Sequence, residues 1–303
     1  MGWTFEKVTS GYQGRIGGVV WDGTNVLFSV PEENNIFKLA PGSSKAELIR
    51  HHTNHVTGLD AAADGRMFAC QEGSRRIIQL HDDGSASKLS FKIDGLVHNH
   101  PCDVAIDSKN RVWFCDCHST LLYPGPKIWP VLDHCSVLRQ DQNPQLQSKT
   151  WTISRMTHDT RNPRAVILSA DEKTLFVAES DNKPDGKREL RAYPIREEGY
   201  LDNPAVLQTF GSDHRGPHRG IEGMCLDSEG NIIACAGWQR SGPGPVVMVI
   251  APSGAVLETW NVPDNQPTRC TFGDAGLKSL YVGTAGGNLY RISNTGRSGH
   301  PRA

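Results

Sequence analysis

The 303-residue sequence has almost no excess of either charge: 32 Lys and Arg stand against 33 Asp and Glu, a formal net charge of -1. That excludes a broad basic face of the kind that grips nucleic acid or an anionic membrane, and leaves a small molecule as the expected partner. Long apolar runs are missing as well. The segment from Val246 to Ala251 is about a third of the roughly 20 residues a membrane-spanning helix needs. The opening MGWTFEKVTS has neither the basic stretch nor the apolar core of a secretion signal, and the eight cysteines include no C-x-x-C pair. Reduced thiols and a cytoplasmic location are therefore expected. Neither a G-x-S-x-G elbow nor an H-E-x-x-H helix occurs, which removes the commonest serine-hydrolase and zinc-protease arrangements. The glycines of TAGGN at 284–288 lie between strand patterns and read as a hairpin turn, not a phosphate loop.

What the sequence has in abundance is turn residues, 31 Gly and 18 Pro, and they punctuate a repeat. Six copies of one pattern can be aligned: GGVVWDGTNVLFSV from Gly17, TGLDAAADGRMFAC from Thr57, CDVAIDSKNRVWFC from Cys102, RAVILSADEKTLFVA from Arg164, EGMCLDSEGNIIAC from Glu222 and TRCTFGDAGLKSLYVG from Thr268. Their starts are 40, 45, 62, 58 and 46 residues apart, the period of a propeller blade. Most copies continue into a third strand, such as RRIIQL or VVMVI, and a fourth, such as KAELIR or AVLETW. The expected architecture is all-β, a six-bladed β-propeller over residues 1–303 as one domain. The sixth copy ends after three strands, and WTFEKVT at 3–9 alternates like a strand, so an N-terminal strand is expected to complete the last blade. The two long intervals hold LLYPGPKIWPVLDHC and DNKPDGKRE, read as insertions between strands.

In a propeller the innermost strands surround a central channel, so the first residue of each repeat should point into one cavity. That ring is Gly17, Thr57, Cys102, Arg164, Glu222 and Thr268. Glu222, Arg164 and Cys102 are candidate catalytic residues; Thr57 and Thr268 are candidates for substrate binding, with His118 and Trp129. Ten of the 12 histidines fall on connections that open at one end of the ring. His55 and His100 each precede a ring position by two residues, hence share its side of the strand by the period-two rule. With His158, His218 and Glu222 they form a candidate metal cluster, and imidazole favours zinc, manganese or iron over calcium. Glu72, Asp116 and Glu179 end second strands near the same mouth and are candidates to orient those histidines, their alternative being a solvated rim. The insertion around Tyr123, Trp129 and Trp151 either lids the cavity or packs beneath its loop.

These repeats resemble the gluconolactonase and senescence marker protein (regucalcin-like) six-bladed propellers over nearly the whole chain. GGVVWDGTNVLFSV is similar to the family's first blade, HPCDVAIDSKNRVWFCD to its third and GIEGMCLDSEGN to its fifth. The resemblance implies a divalent-metal-dependent hydrolase that opens lactones, with calcium or zinc at the axis. It also implies a substrate-facing or supporting role for Asp103, counted here with the catalytic candidates. The family's metal ligands are a Glu, two Asn and an Asp; the matching positions are Gly17, Cys102, Arg164 and Glu222. Four readings stay open. One is a lactonase-like hydrolase with a rearranged metal site, in which Arg164 stabilises an oxyanion and Glu222 or a histidine shuttles the proton. Another is a metal-free hydrolase with Cys102 as nucleophile, His100 or His118 as its base and Arg164 lowering its pKa. The others are a histidine-ligated iron oxygenase and a non-catalytic ligand-binding propeller.

Overall fold

The computed structural model describes residues 2–89, 91–118, 132–142 and 150–301. Six four-stranded antiparallel sheets succeed one another along the chain. Blade 1 comprises Val19–Trp21, Val26–Val30, Asn35–Leu39 and Glu47–Arg50, and blade 2 comprises Val56–Ala61, Met67–Gln71, Arg76–Leu80 and Ala86–Lys88. Blade 3 is His100–Ile106, Val112–Cys117, Ser136–Gln142 and Trp151–Arg155; blade 4 is Pro163–Leu168, Thr174–Ser180, Arg188–Pro194 and Ala205–Thr209. Blade 5 is Ile221–Leu226, Ile232–Trp238, Ser241–Ile250 and Val256–Asn261. Blade 6 is Pro267–Gly273, Ser279–Thr284 and Leu289–Ile292, and its outer strand is Glu6–Thr9, paired antiparallel to Leu289–Ile292. The expected closure by the N-terminal strand is therefore present.

The core is a ring of six clusters, one between each pair of neighbouring blades. This explains why second strands such as VWFC are apolar throughout. On Val112–Cys117, Val112 and Phe114 face blade 2, while Trp113, Cys115 and Cys117 face blade 4. Alternate side chains serve opposite neighbours, so a strand between two blades is buried on both faces. Each fully buried Phe or Leu contributes about 1.5–3 kcal/mol, and no blade can bury both faces without its neighbours.

Hairpin turns repeat with the blades. In blade 3 the Asp107 carboxylate accepts from the backbone N–H groups of Lys109 (3.0 Å) and Arg111 (2.8 Å); in blade 5 Asp227 does the same for Glu229 (3.0 Å) and Asn231 (2.8 Å). The residue two before the returning strand is left-handed in both, Asn110 at φ 59° and Gly230 at φ 81°, the conformation Asn and Gly tolerate best.

The strand feature that shapes the site is a register shift near the start of five innermost strands. It falls between Val56 and Leu59, Pro101 and Asp103, Pro163 and Ala165, Ile221 and Gly223, and Pro267 and Arg269. An extra residue on one strand bends it and re-aims the bulged side chain. The residues within these irregularities include Thr57, Cys102, Arg164, Glu222 and Thr268, the positions that open the sequence repeats.

Candidate functional site

All six ring residues line one axial cavity of about 190 Å³: Gly17, Thr57, Cys102, Arg164, Glu222 and Thr268. Gly17 is required by closeness: a Cβ there would stand 2.7 Å from Pro31 and 2.8 Å from the Ser29 hydroxyl. The two threonines hold blades together. Thr57 Oγ1 donates to the Pro101 carbonyl (3.2 Å), and Thr268 Oγ1 donates to the Ile16 carbonyl (2.6 Å).

The chemistry is concentrated in guanidinium groups. Arg164 Nη2 meets Glu222 Oε2 at 3.2 Å, and Arg219 Nη2 meets Glu222 Oε1 at 2.6 Å. Arg164 Nη1 also reaches Cys117 Sγ at 3.2 Å. Arg219 lies over the Trp238 ring, 5.3 Å from its centroid. At the mouth, Arg15 pairs with Glu32 (3.2 Å) and Glu72 (3.5 Å). Arg269 closes the floor: it donates to the carbonyls of Thr268 (3.1 Å), Cys102 (3.0 Å) and Arg164 (3.2 Å), and its Nε stands 3.3 Å from Asp103. Burial alone would raise the Glu222 pKa, but Arg164, Arg219 and Arg269 outweigh it and hold that carboxyl down to about 2.

Asp103 lies on the other side of this floor. It lines a second, larger cavity of about 460 Å³ at the opposite end of the channel, where it accepts from the Val166 N–H at 3.0 Å. The reason is its position one residue beyond the bulge at Cys102. It is an ion-pair partner of Arg269 and, unlike the other catalytic candidates, does not line the axial cavity.

The histidine cluster needs correction. None of His55, His100, His158 and His218 lines the axial cavity, and among the described residues no group of three or more His, Cys, Asp or Glu could hold a metal ion. His158 is exposed with its ring 6.1 Å from that of His134, and His218 Nε2 stands 3.8 Å from Asp213. His55 has a left-handed backbone, φ 57°, and is held by Asn34 Oδ1 through its N–H (2.8 Å). His100 pairs with Cys117 on the second strand, outside the irregularity that sets Cys102 inward. The period-two argument fails because the irregularity intervenes between each of these histidines and its ring residue.

Other expectations resolve individually. Cys102 is 2% exposed, and its thiol faces the carbonyls of Pro163 (3.5 Å) and Arg164 (3.9 Å). Burial, reinforced by Cys115, pushes that thiol well above its usual range despite the opposing charge of Arg164, so Arg164 does not activate it. His118 is exposed and outside the cavity lining, its N–H bonded to Asn162 Oδ1 at 3.1 Å. Trp151 packs edge-on against Phe68 at 6.2 Å, on the outer part of the blade 2–3 interface. Tyr123 and Trp129 lie outside the described residues. Asp116 and Glu179 orient backbone instead of histidines: Asp116 accepts from Asn99 N–H (2.8 Å), and Glu179 from those of Arg161 (3.0 Å) and Asn162 (2.6 Å). Glu72, by contrast, lines the axial cavity.

Three of these buried acids carry a pH signature. Burial raises Asp103 to about 6, and Asp116 and Glu179 to about 7. The native state then binds protons more readily than the unfolded chain between about pH 4 and 7, so stability falls as pH rises through that window. Urea denaturation is expected to give a higher midpoint at pH 5 than at pH 8; a midpoint equal or higher at pH 8 would contradict the assignment.

A metal at the axis does not fit this donor set. Gly17 offers no side-chain ligand, Cys102 is a protonated thiol, Arg164 is a cation, and both oxygens of Glu222 are ion-paired. Calcium needs six to eight oxygen ligands, and four guanidinium groups in one lining oppose any cation. The site therefore defines a propeller with a small, polar, arginine-rich axial pocket.

Residues 17–286 match the SMP-30/Gluconolactonase/LRE-like region, and the chain belongs to that family. It is 26% identical over 202 residues to lactonase drp35 of Staphylococcus saprophyticus, covering 63% of this chain and 53% of that protein. It is 25% identical over 195 residues to a 6-deoxy-6-sulfogluconolactonase of Pseudomonas putida, covering 64% and 57%. The matched part is thus little over half the length of either relative. A solved gluconolactonase from Xanthomonas campestris superposes with a TM-score of 0.76 at 23% identity, covering 96% of this chain and 89% of that one, which is a likeness of fold.

Sequence reasoning missed Arg15, Arg219, Arg269 and the cavity position of Glu72. A signal existed for two of them. Arg219 precedes the ring residue Glu222 by three, and Arg269 directly follows Thr268, as Asp103 follows Cys102.

Proposed function

We propose that the protein hydrolyses a small cyclic ester in the axial cavity, as a lactonase-type enzyme. The observation that carries this reading is Arg164, fixed by Glu222 and facing a cavity on the axis of a lactonase-family propeller. The names of both relatives, a lactonase and a sulfogluconolactonase, support it.

The chain's own residues suffice to write the reaction. The ester carbonyl oxygen sits against Arg164, whose fixed charge opposes the negative charge that develops there as the carbonyl carbon becomes tetrahedral. A water attacks that carbon and gives its proton to a carboxylate. Glu222, held to about 2, is a weak base at neutral pH and serves to position Arg164 and Arg219. Glu72, the other carboxylate of the lining, takes the proton. Collapse of the intermediate breaks the ring C–O bond, and the same proton passes from Glu72 to the departing alkoxide, leaving a hydroxy acid. Solvent water is the only co-reactant.

Proton release from five- and six-membered lactones, followed with an indicator dye, tests the reading; no hydrolysis of any ring ester would overturn it. The same assay separates this route from thiol catalysis. Cys102→Ser is expected to retain turnover within about threefold, because the thiol is protonated and faces backbone carbonyls, whereas a nucleophilic thiolate would lose nearly all of it.

A further inference from the structure

We infer that the molecule taken into the axial cavity carries a fixed negative charge besides its ester, a carboxylate, sulfonate or phosphate group, held between Arg219 and Arg15 at the mouth. The inference rests on the proposed reading that this cavity is the substrate site, and it names the chemical class that the cavity selects.

The lining presents Arg15, Arg164, Arg219 and Arg269 against Glu72 and Glu222. Arg269 is matched from below by Asp103, and Arg15 by Glu72 and Glu32. One carboxylate, Glu222, answers both remaining guanidinium groups. The four arginines and their four carboxylate partners, Glu32, Glu72, Asp103 and Glu222, balance in number, but they are unevenly shared: Arg15 has two and the Arg164–Arg219 pair only one, so a further negative charge beside that pair would be answered.

A second, independent observation places it. Arg219 Nε is buried and has no hydrogen-bond partner, although the same side chain holds Glu222 through Nη2 and packs on Trp238. A buried N–H donor left unmade costs about 1–3 kcal/mol, so Arg219 is short of partners, and a further negative charge beside its guanidinium in the cavity would lower the cost of keeping it ionised. Burial also pulls the Arg219 pKa down, ahead of the support from Glu222, as expected for a guanidinium short of negative partners. Planar guanidinium groups accept carboxylate, sulfonate or phosphate oxygens in paired hydrogen bonds.

The test uses two γ-lactones that differ only at one ring substituent, a carboxylate in one and its methyl amide in the other. Wild-type protein is expected to favour the carboxylate by tenfold or more in kcat/KM, with the ratio falling several-fold at 0.5 M salt. Arg219→Gln and Arg15→Gln should each bring that ratio towards one. A wild-type ratio of one or below overturns the inference while leaving the lactonase reading intact. If neither lactone is hydrolysed, the lactonase reading fails and calorimetry decides the inference by itself. Binding of the ring-opened dicarboxylate, weakened at least tenfold in Arg219→Gln, supports an anion site; no binding to wild-type protein overturns it.

Discussion

Replacing Arg164 with alanine is expected to lower kcat/KM for ring-ester hydrolysis by about 10²–10³-fold, the usual cost of deleting one preorganised oxyanion donor. The loss should fall mainly on kcat, because the developing charge exists only in the transition state. The fold should survive, since Glu222 keeps Arg219 as its partner at 2.6 Å. Arg164→Lys retains the positive charge but not the planar fork that spans Glu222 and Cys117, and is expected to recover part of the activity. The measurement is steady-state kinetics on the best lactone beside a thermal melt of each variant. Turnover in Arg164→Ala within threefold of wild type, with the melt preserved, would move the chemistry out of the axial cavity.

The part of this site that was legible in the sequence is the part that repeats. Thr57, Cys102, Arg164, Glu222 and Thr268 open copies of one pattern, so their equivalence was visible without any structure. Each of these five lies within a strand irregularity near the start of its blade's innermost strand, in blades 2–6. The same irregularity misled the reading of the histidines. A period of two carries a side chain's direction only along an uninterrupted strand, and His55 and His100 lie across the break from Thr57 and Cys102. Arg15 and Arg219 lie on connections outside the strands, where no period exists to assign a direction. Arg269 shows a different limit. It lies one residue past a ring position, at the edge of its strand's register shift, but only the closed ring brings it beneath the carbonyls of Arg164 and Cys102, two and three blades away.

Glu222→Gln should show the largest stability effect of any ring substitution. The side chain is 5% exposed and is the shared carboxylate of Arg164 and Arg219. Removing its charge leaves two guanidinium groups close together in a buried pocket, a situation that costs about 3–5 kcal/mol. At roughly 2 °C per kcal/mol for a chain of this size, the melting temperature should fall by about 6–10 °C at pH 7. The pH dependence identifies the cause. Glu222 has its folded pKa depressed from 4.5 to about 2, so its contribution is present in full above about pH 5 and is lost as pH falls towards 2. The gap between wild type and variant should therefore close as acid is added, in contrast to a packing defect, which would persist. A second change supplies the cross-check. Arg219→Gln in the Glu222→Gln background removes one of the two like charges and should restore part of the lost stability, the non-additivity expected of residues in one network. A strictly additive double variant, or a gap that stays constant down to pH 3, would show that Glu222 stabilises the blades by shape and not by holding the arginines.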